Sequence, residues 1–222
     1  IRVRQPEYER QSPVQPTRED GEPGDPGDTE TTQSTEAVQQ FELQTIHGIT
    51  LPNMTIIRPM LCRKVKSLDD IHVPCWLSPK LNGIRAVWNP SAGLFQSKHE
   101  KFWPSWMTQL IWDGSDPRHH PKVYLDGEFL LPNLQDLGTA IGINRHRPGP
   151  HAEQVTFNVF DMVALNTSVE SRIRFLNSYF SFRQCERVRH VHHYYAGTHK
   201  AIVQLVSDFL LDKYEGVVAR PH

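Results

Sequence analysis

The chain has 222 residues, of which 38% are hydrophobic and 22% charged, as in an ordinary globular protein. It has no apolar stretch near the roughly 20 residues of a membrane-spanning helix. Its three cysteines are too few for a disulfide framework, and their lack of CxxC spacing argues against a structural zinc site. The net charge of −1 hides an asymmetry: residues 1–40 hold four Arg against nine Asp or Glu, so the remainder is mildly basic and compatible with a phosphate-rich partner.

The composition changes sharply near Phe41. Residues 1–40 are rich in Pro, Gly, Gln, Thr and acidic residues and nearly free of large apolar side chains. Such a segment buries too little apolar surface to offset the entropy lost on ordering. We therefore predict a disordered acidic, Pro/Gly-rich tail over residues 1–40 and a globular domain over residues 41–222.

The first half of the domain is strand-rich. After short apolar pieces, the run LNGIRAVWN, the turn NPSAG and the run GLFQSKHE predict a hairpin over Arg85–Ser97. The run KVYLDGEFLLP predicts a strand that ends at Pro132. Gly and Pro residues predict loops over 133–153, and VTFNVFDMV alternates as a further strand.

Two longer helices are predicted in the second half. Ser168 or Thr167 can cap the helix VESRIRFLNSYF, and Thr198 can cap the helix KAIVQLVSDFLLDK. The run YEGVVAR, at 214–220, predicts a final short strand. Strands come first and helices later, which indicates an α+β fold with antiparallel sheet rather than a doubly wound Rossmann fold.

Four short segments carry candidate chemistry. In SPKLNGIR, Lys80 is a potential nucleophile, Gly83 allows close backbone approach, and Arg85 can bind phosphate or ribose. The segments LDGEF, FNVFD and YEGVVAR place carboxylates or an aromatic ring on or beside short apolar strands. Carboxylates facing a lysine can hold a divalent cation, and Phe160 can stack on a base. Each segment alone is also typical of an ordinary surface or core.

The order of the four segments resembles the covalent nucleotidyltransferase superfamily, most closely the adenylation domain of ATP-dependent DNA ligases. The run KLNGIR is similar to that family's Lys-x-Asp-Gly-x-Arg motif, and DGE, VFD and EGVVAR are similar to its later motifs. The runs RPML, SKH and RIRFL also resemble ligase segments. The resemblance runs from about Ile56 to Arg220.

The resemblance implies a fold and a reaction. The fold would be an α+β nucleotidyltransferase (adenylation) domain of two antiparallel sheets flanked by helices, ATP-grasp-like, with ATP between the sheets. Lys80 would attack the α-phosphorus of ATP with Mg²⁺ or Mn²⁺ as cofactor. The AMP would pass to the 5′-phosphate of nicked DNA, and a 3′-hydroxyl would seal the strand.

The resemblance also implies roles for the other site residues. Arg85 would contact the ribose or the phosphate of the nick, and Lys98 would replace a phosphate-binding arginine. Glu128 would hold the ribose and share the metal ion with Glu215. Phe160 would stack on adenine. Arg220 would be a further phosphate contact.

Three departures keep alternatives open. Asn82 replaces the usual Asp, a change that RNA ligases tolerate, and Lys98 replaces Arg and loses its bidentate fork. The sequence given ends before the family's Lys-x-Lys motif and any oligonucleotide-binding domain, so we expect a fragment of a longer ligase. The alternatives are an RNA ligase, a capping-type guanylyltransferase, which the RPML and SKH segments disfavour, and a non-catalytic nucleic-acid-binding relative.

The same resemblance sets the expected biological context. We expect a monomer that acts on nicked DNA, with RNA as the alternative substrate, and does not associate with membranes. It would serve DNA replication, repair or recombination in an intracellular compartment that contains DNA.

Overall fold

A computed structural model of the chain describes residues 2–4, 44–46, 49–51, 56–131, 147–183 and 185–221. The strands are β1 Arg2–Arg4, β2 Gln44–Ile46, β3 Ile49–Leu51, β4 Cys62–Lys64, β5 Cys75–Lys80, β6 Ile84–Asn89, β7 Leu94–Ser97, β8 Leu125–Leu130, β9 Thr156–Met162, β10 Val188–His190, β11 Tyr194–Ala196 and β12 Gly216–Pro221. The α-helices are α1 Ser105–Ile111, α2 Val169–Ser181 and α3 His199–Leu211, and short 3₁₀ turns occupy Leu68–Asp70, Pro117–His119 and Ala152–Gln154.

The first sheet carries the predicted nucleophile and the last strand. Its order is β11-β5-β12-β1-β4, and β5 and β12 run antiparallel. Helix α3 contacts β5, β11 and β12. One face of this sheet and the helix enclose a small apolar core that includes Leu77, Ile202, Phe209, Val217 and Ala219. The opposite face of β5 and β12 is therefore left for polar residues at the alternate positions.

The second sheet holds the other predicted motifs and has the order β10-β9-β8-β6-β7. Strands β6 and β7 form the hairpin predicted from the sequence. Helices α1 and α2 contact this sheet, and the largest core lies with them. Aromatic rings dominate that core: Trp88, Phe95, Trp103, Phe129 and Phe157 are almost fully buried.

The α+β class and the two-sheet architecture confirm the expectation from the sequence. Each five-stranded sheet is mainly antiparallel but contains one parallel pair, β1 with β12 and β9 with β10. A small third sheet pairs β2 with β3. No helix among the described residues has the length and apolar character needed to cross a bilayer.

The first strand departs from the predicted tail. Arg2–Arg4 lie between β12 and β4 in the first sheet, although we predicted disorder for residues 1–40. Strand pairing uses backbone N–H and C=O groups, which any short non-proline segment can supply, so a polar composition does not prevent it. Residues 5–40 lie outside the described residues.

Both predicted helix caps are confirmed. The Ser168 side chain accepts a hydrogen bond from the Ser171 N–H, and the Thr198 side chain accepts one from the Ala201 N–H. Two predictions fall at least partly outside the described residues, which do not include 132–146. These are the strand end at Pro132 and most of the loop at 133–153.

Candidate active site

The two sheets enclose a cavity of about 230 Å³ between β5 and β12 on one side and β6, β8 and β9 on the other. Six of the seven residues predicted to form the site line it: Lys80, Arg85, Lys98, Glu128, Phe160 and Arg220. They come from segments up to 140 positions apart in the sequence, so only the fold brings them together.

Lys80 is the last residue of β5 and lies opposite Gly216, the first residue of β12. Lys80 thus ends one strand and stands four positions before the next, β6. Glu215, the seventh predicted residue, immediately precedes β12, and its carboxylate forms an ion pair with the Lys80 amine. This pair joins the predicted nucleophile to a predicted metal ligand.

Glu128 lies on β8 and is largely buried. Its Oε1 accepts a hydrogen bond of 2.8 Å from the Gly83 N–H. Burial raises the pKa of the Glu128 carboxyl above its usual value, while the Gly83 N–H, Arg85 and Lys80 oppose that shift. The carboxyl group is therefore held between two cations of the site in a partly desolvated position.

Gly83 permits a close approach, but to the protein's own backbone. A Cβ atom at this position would lie 2.2 Å from the Phe129 carbonyl oxygen and 2.6 Å from Leu130 Cδ2. Glycine is therefore needed for β8 to come close to the chain just after Lys80.

Arg85 is held by Asp126, a residue of the LDGEF segment that was not among the predicted site residues. Its Nε and Nη2 donate to the two carboxylate oxygens of Asp126, which is fully buried on β8. Its guanidinium carbon also lies 4.7 Å from the centre of the Phe160 ring. The Asp-Gly-Glu pattern could have indicated that Asp126 belongs to the site, because Asp126 and Glu128 are alternate residues of one strand and share a face.

Phe160 faces the cavity because it alternates with Val159 along β9. The pairing register shifts at Asp126/Gly127, which pair with Asp161 and Val159 and leave Phe160 as the extra residue. Val159 lies in the largest core, whereas Phe160 packs in a separate apolar cluster with Leu81 and Val191. After the shift Met162 lies in the largest core and Asp161 lies near Arg220, so the alternation expected from the sequence does not continue past Phe160.

Arg220 lies on β12 and is only 2% exposed. Its Nη1 donates to Ser78 Oγ at 2.7 Å, and its Nε lies 3.8 Å from Asp161 Oδ2. Its guanidinium carbon lies 5.8 Å from the Phe160 ring centre. Two cations thus border the ring that was predicted to stack on adenine.

Lys98 follows β7 directly and is exposed at the rim of the cavity. Its charge adds to those of Lys80, Arg85 and Arg220. A site with these four cations suits an anionic ligand, such as a polyphosphate, whose negative charges they can neutralise.

The carboxylates of the site fit a magnesium ion that also binds phosphate. Among the described residues there is no cluster of three or more His, Cys, Asp or Glu side chains that could hold a metal ion. Mg²⁺ commonly uses only one or two carboxylates and takes its other ligands from substrate phosphates and water. Glu128 and Glu215, both near Lys80, can supply those two carboxylates.

Comparison with solved structures identifies the fold. Two structures of Chlorella virus DNA ligase–adenylate match at 20% identity with a TM-score of 0.56; they cover 70% and 72% of this chain and 56% and 58% of the ligase. A structure named Pmar-Lig_Pre matches at 19% identity with a TM-score of 0.53, over 69% of this chain and 42% of its own. No protein-family model and no curated protein matches the chain.

The chain thus spans a little more than half the length of the viral ligase. Identities near 20% support a common fold and leave the chemistry to be argued from the site. The resemblance seen in the sequence is confirmed at this level: the fold is that of DNA ligase adenylation domains.

Proposed function

We propose that this chain is the adenylation domain of an ATP-dependent polynucleotide ligase that acts on nicked DNA. The observation that carries the proposal is the position of Lys80. Its amine lies in the cleft between the two sheets, paired with Glu215, in the same cavity as Glu128 and three further cations. A purely structural lysine would not require this concentration of charge in one cavity.

The proposed first step joins Lys80 to AMP. The deprotonated Nζ attacks the α-phosphorus of ATP, the new N–P bond forms as the P–O bond to pyrophosphate breaks, and pyrophosphate leaves. Arg85, Lys98 and Arg220 neutralise charge on the phosphates as it develops. Glu215 must exchange its contact with Lys80 for another partner, because a protonated, paired amine is not a nucleophile.

Glu128 and Glu215 would hold the divalent cation, Mg²⁺ or Mn²⁺, which when bound would screen the phosphates and make pyrophosphate a better leaving group. Phe160 would stack on adenine, and Glu128 would also bind the ribose. Since the Arg85 guanidinium lies over the Phe160 ring, adenine must share the ring with Arg85 or displace it.

The proposed second and third steps use the nick. The 5′-phosphate oxygen attacks the lysyl-AMP phosphorus and releases Lys80, which gives an adenylated 5′ end. The 3′-hydroxyl then attacks the 5′-phosphate, a phosphodiester forms, and AMP leaves. Arg85 and Lys98 would contact the phosphate of the nick, which positions the strand without reading its sequence.

Two other functions remain as alternatives. Asn82, in place of the Asp usual in DNA ligases, favours an RNA ligase. A nucleic-acid-binding relative without turnover would retain the cations but would have no need of the two carboxylates, Glu128 and Glu215, near Lys80. In the cell we propose a monomeric enzyme of DNA replication, repair or recombination, in a compartment that contains DNA.

The proposal is tested with α-labelled ATP and Mg²⁺ or Mn²⁺, followed by a denaturing gel. We expect an acid-labile label on the wild-type protein that is absent from Lys80→Ala and retained by Lys200→Ala, an exposed lysine on α3. Transfer of the label to nicked DNA rather than nicked RNA would support the DNA substrate. Binding of nucleic acid without any label would support the non-catalytic alternative, and labelling by GTP instead of ATP would contradict the proposal.

A further inference from the structure

The first arginine of the RIRFL segment, Arg172, is connected to the cavity through buried side chains. Arg172 lies on α2 and is not among the residues that line the cavity. Its Nε donates to Asp161 Oδ1 at 2.8 Å. The other oxygen of Asp161 lies 3.8 Å from Nε of Arg220, which does line the cavity. The proposed chemistry gives Arg172 no role.

These three charged residues are buried together. Arg172 is 9% exposed, Asp161 3% and Arg220 2%. Charges at such depth are tolerated when they are paired and hydrogen-bonded. The Arg172 Nη1 is anchored further by the Thr167 carbonyl at 2.7 Å. The helix therefore fixes where the Asp161 carboxylate lies.

Arg172 and Arg220 share one carboxylate, but unequally. Asp161 Oδ1 accepts hydrogen bonds from Arg172 Nε and from the Met162 N–H, the latter at 2.9 Å. The 3.8 Å between Arg220 Nε and Oδ2 is longer than a hydrogen bond of about 2.7–3.2 Å. Arg220 donates instead to Ser78 on β5, so its guanidinium lies towards the cavity wall.

We propose that Arg172 is a positioning residue for the nucleotide site. By holding Asp161, it keeps Arg220 against Ser78, where Arg220 can meet the phosphates or base of ATP. Without Arg172 the carboxylate draws Arg220 into a full hydrogen bond and away from the cavity. This inference rests on the proposed function, because it assumes that the cavity binds ATP.

The test compares Arg172→Met with Arg174→Met. Arg174 lies two positions further along the same helix, is exposed, and pairs with Glu170 one turn earlier. The measurements are the dissociation constant for ATP and the rate of label transfer to Lys80, each corrected for the folded fraction. We expect Arg172→Met to lose about 10- to 100-fold in labelling efficiency, because small misplacements of a contact residue are costly. We expect Arg174→Met to stay within about twofold of wild type.

A double variant separates positioning from general stabilisation. If Arg172 acts only through Arg220, then Arg172→Met combined with Arg220→Met binds ATP no more weakly than Arg220→Met alone. Additive losses would overturn the proposal. Arg172→Lys, which retains the charge and loses the fork, is the variant to use if Arg172→Met does not fold, and partial recovery is then expected.

The outcomes for the two proposals are distinguishable. A wild-type protein that neither binds ATP nor becomes labelled overturns the proposed function and this inference together. A wild-type protein that does both, while Arg172→Met or Arg172→Lys behaves like Arg174→Met, overturns the positioning role alone.

Discussion

Gly83 is the residue at which the packing of the site can be tested most sharply. A Cβ at this position would lie 2.2 Å from the Phe129 carbonyl oxygen, a separation that real Cβ contacts essentially never show. In Gly83→Ala, β8 must therefore move by roughly 1 Å, and overpacking of this kind costs about 1–3 kcal/mol. The same movement weakens the hydrogen bond from the Gly83 N–H to Glu128, which adds about 1–3 kcal/mol.

We therefore expect Gly83→Ala to lower the free energy of unfolding by about 2–6 kcal/mol, and Tm by about 4–24 °C for a domain of this size. The assay is urea unfolding followed by tryptophan fluorescence. Gly197→Ala is the matched control, because its Cβ would meet only Tyr195 Cε1 at 3.5 Å, and we expect a change within about 1 kcal/mol. If Gly83→Ala proved as stable as Gly197→Ala, the close approach of β8 to the chain just after Lys80 would be refuted.

Three further predictions concern charge and capping. Because burial raises the pKa of Glu128 above 4.5, the protonated acid favours the folded state, and that stabilisation is lost as pH rises through the raised pKa. The stability of wild type relative to Glu128→Gln should thus fall as the pH rises from the ordinary pKa of 4.5 through the raised one, and a difference that does not change with pH would contradict the raised pKa of Glu128. Asp126→Asn weakens the buried pair with Arg85 and should cost about 2–5 kcal/mol in urea unfolding; an unchanged midpoint would argue against that pair. Ser168→Ala removes the cap hydrogen bond to the Ser171 N–H and should cost about 1 kcal/mol by the same assay, and no loss would show that the cap is dispensable.

Local features of the fold could be predicted from the sequence. The hairpin over Arg85–Ser97 and the caps at Ser168 and Thr198 depend on residues within a few positions of one another, and the structure confirms them. The α+β class followed from the order of the predicted strands and helices, and the two-sheet architecture was implied by the resemblance to nucleotidyltransferases. Propensity and spacing carry the local features and the class without knowledge of the tertiary contacts.

Features that depend on distant pairing could not be predicted. Local sequence patterns do not predict the register shift between β8 and β9, or the strand that Arg2–Arg4 add between β4 and β12. The Arg85–Asp126 pair joins residues 41 positions apart, and the Arg220–Ser78 hydrogen bond spans 142. Such contacts follow from the closure of the sheets, and the residues around them do not encode them locally.

The central claim is that Lys80 becomes covalently attached to AMP. The most direct measurement is tandem mass spectrometry of peptides from the protein after incubation with ATP and Mg²⁺. We predict a mass increment of one AMP on the peptide that contains Lys80, absent when Lys80→Ala is treated in the same way. An AMP increment on a different lysine, or on Lys80→Ala itself, would contradict it.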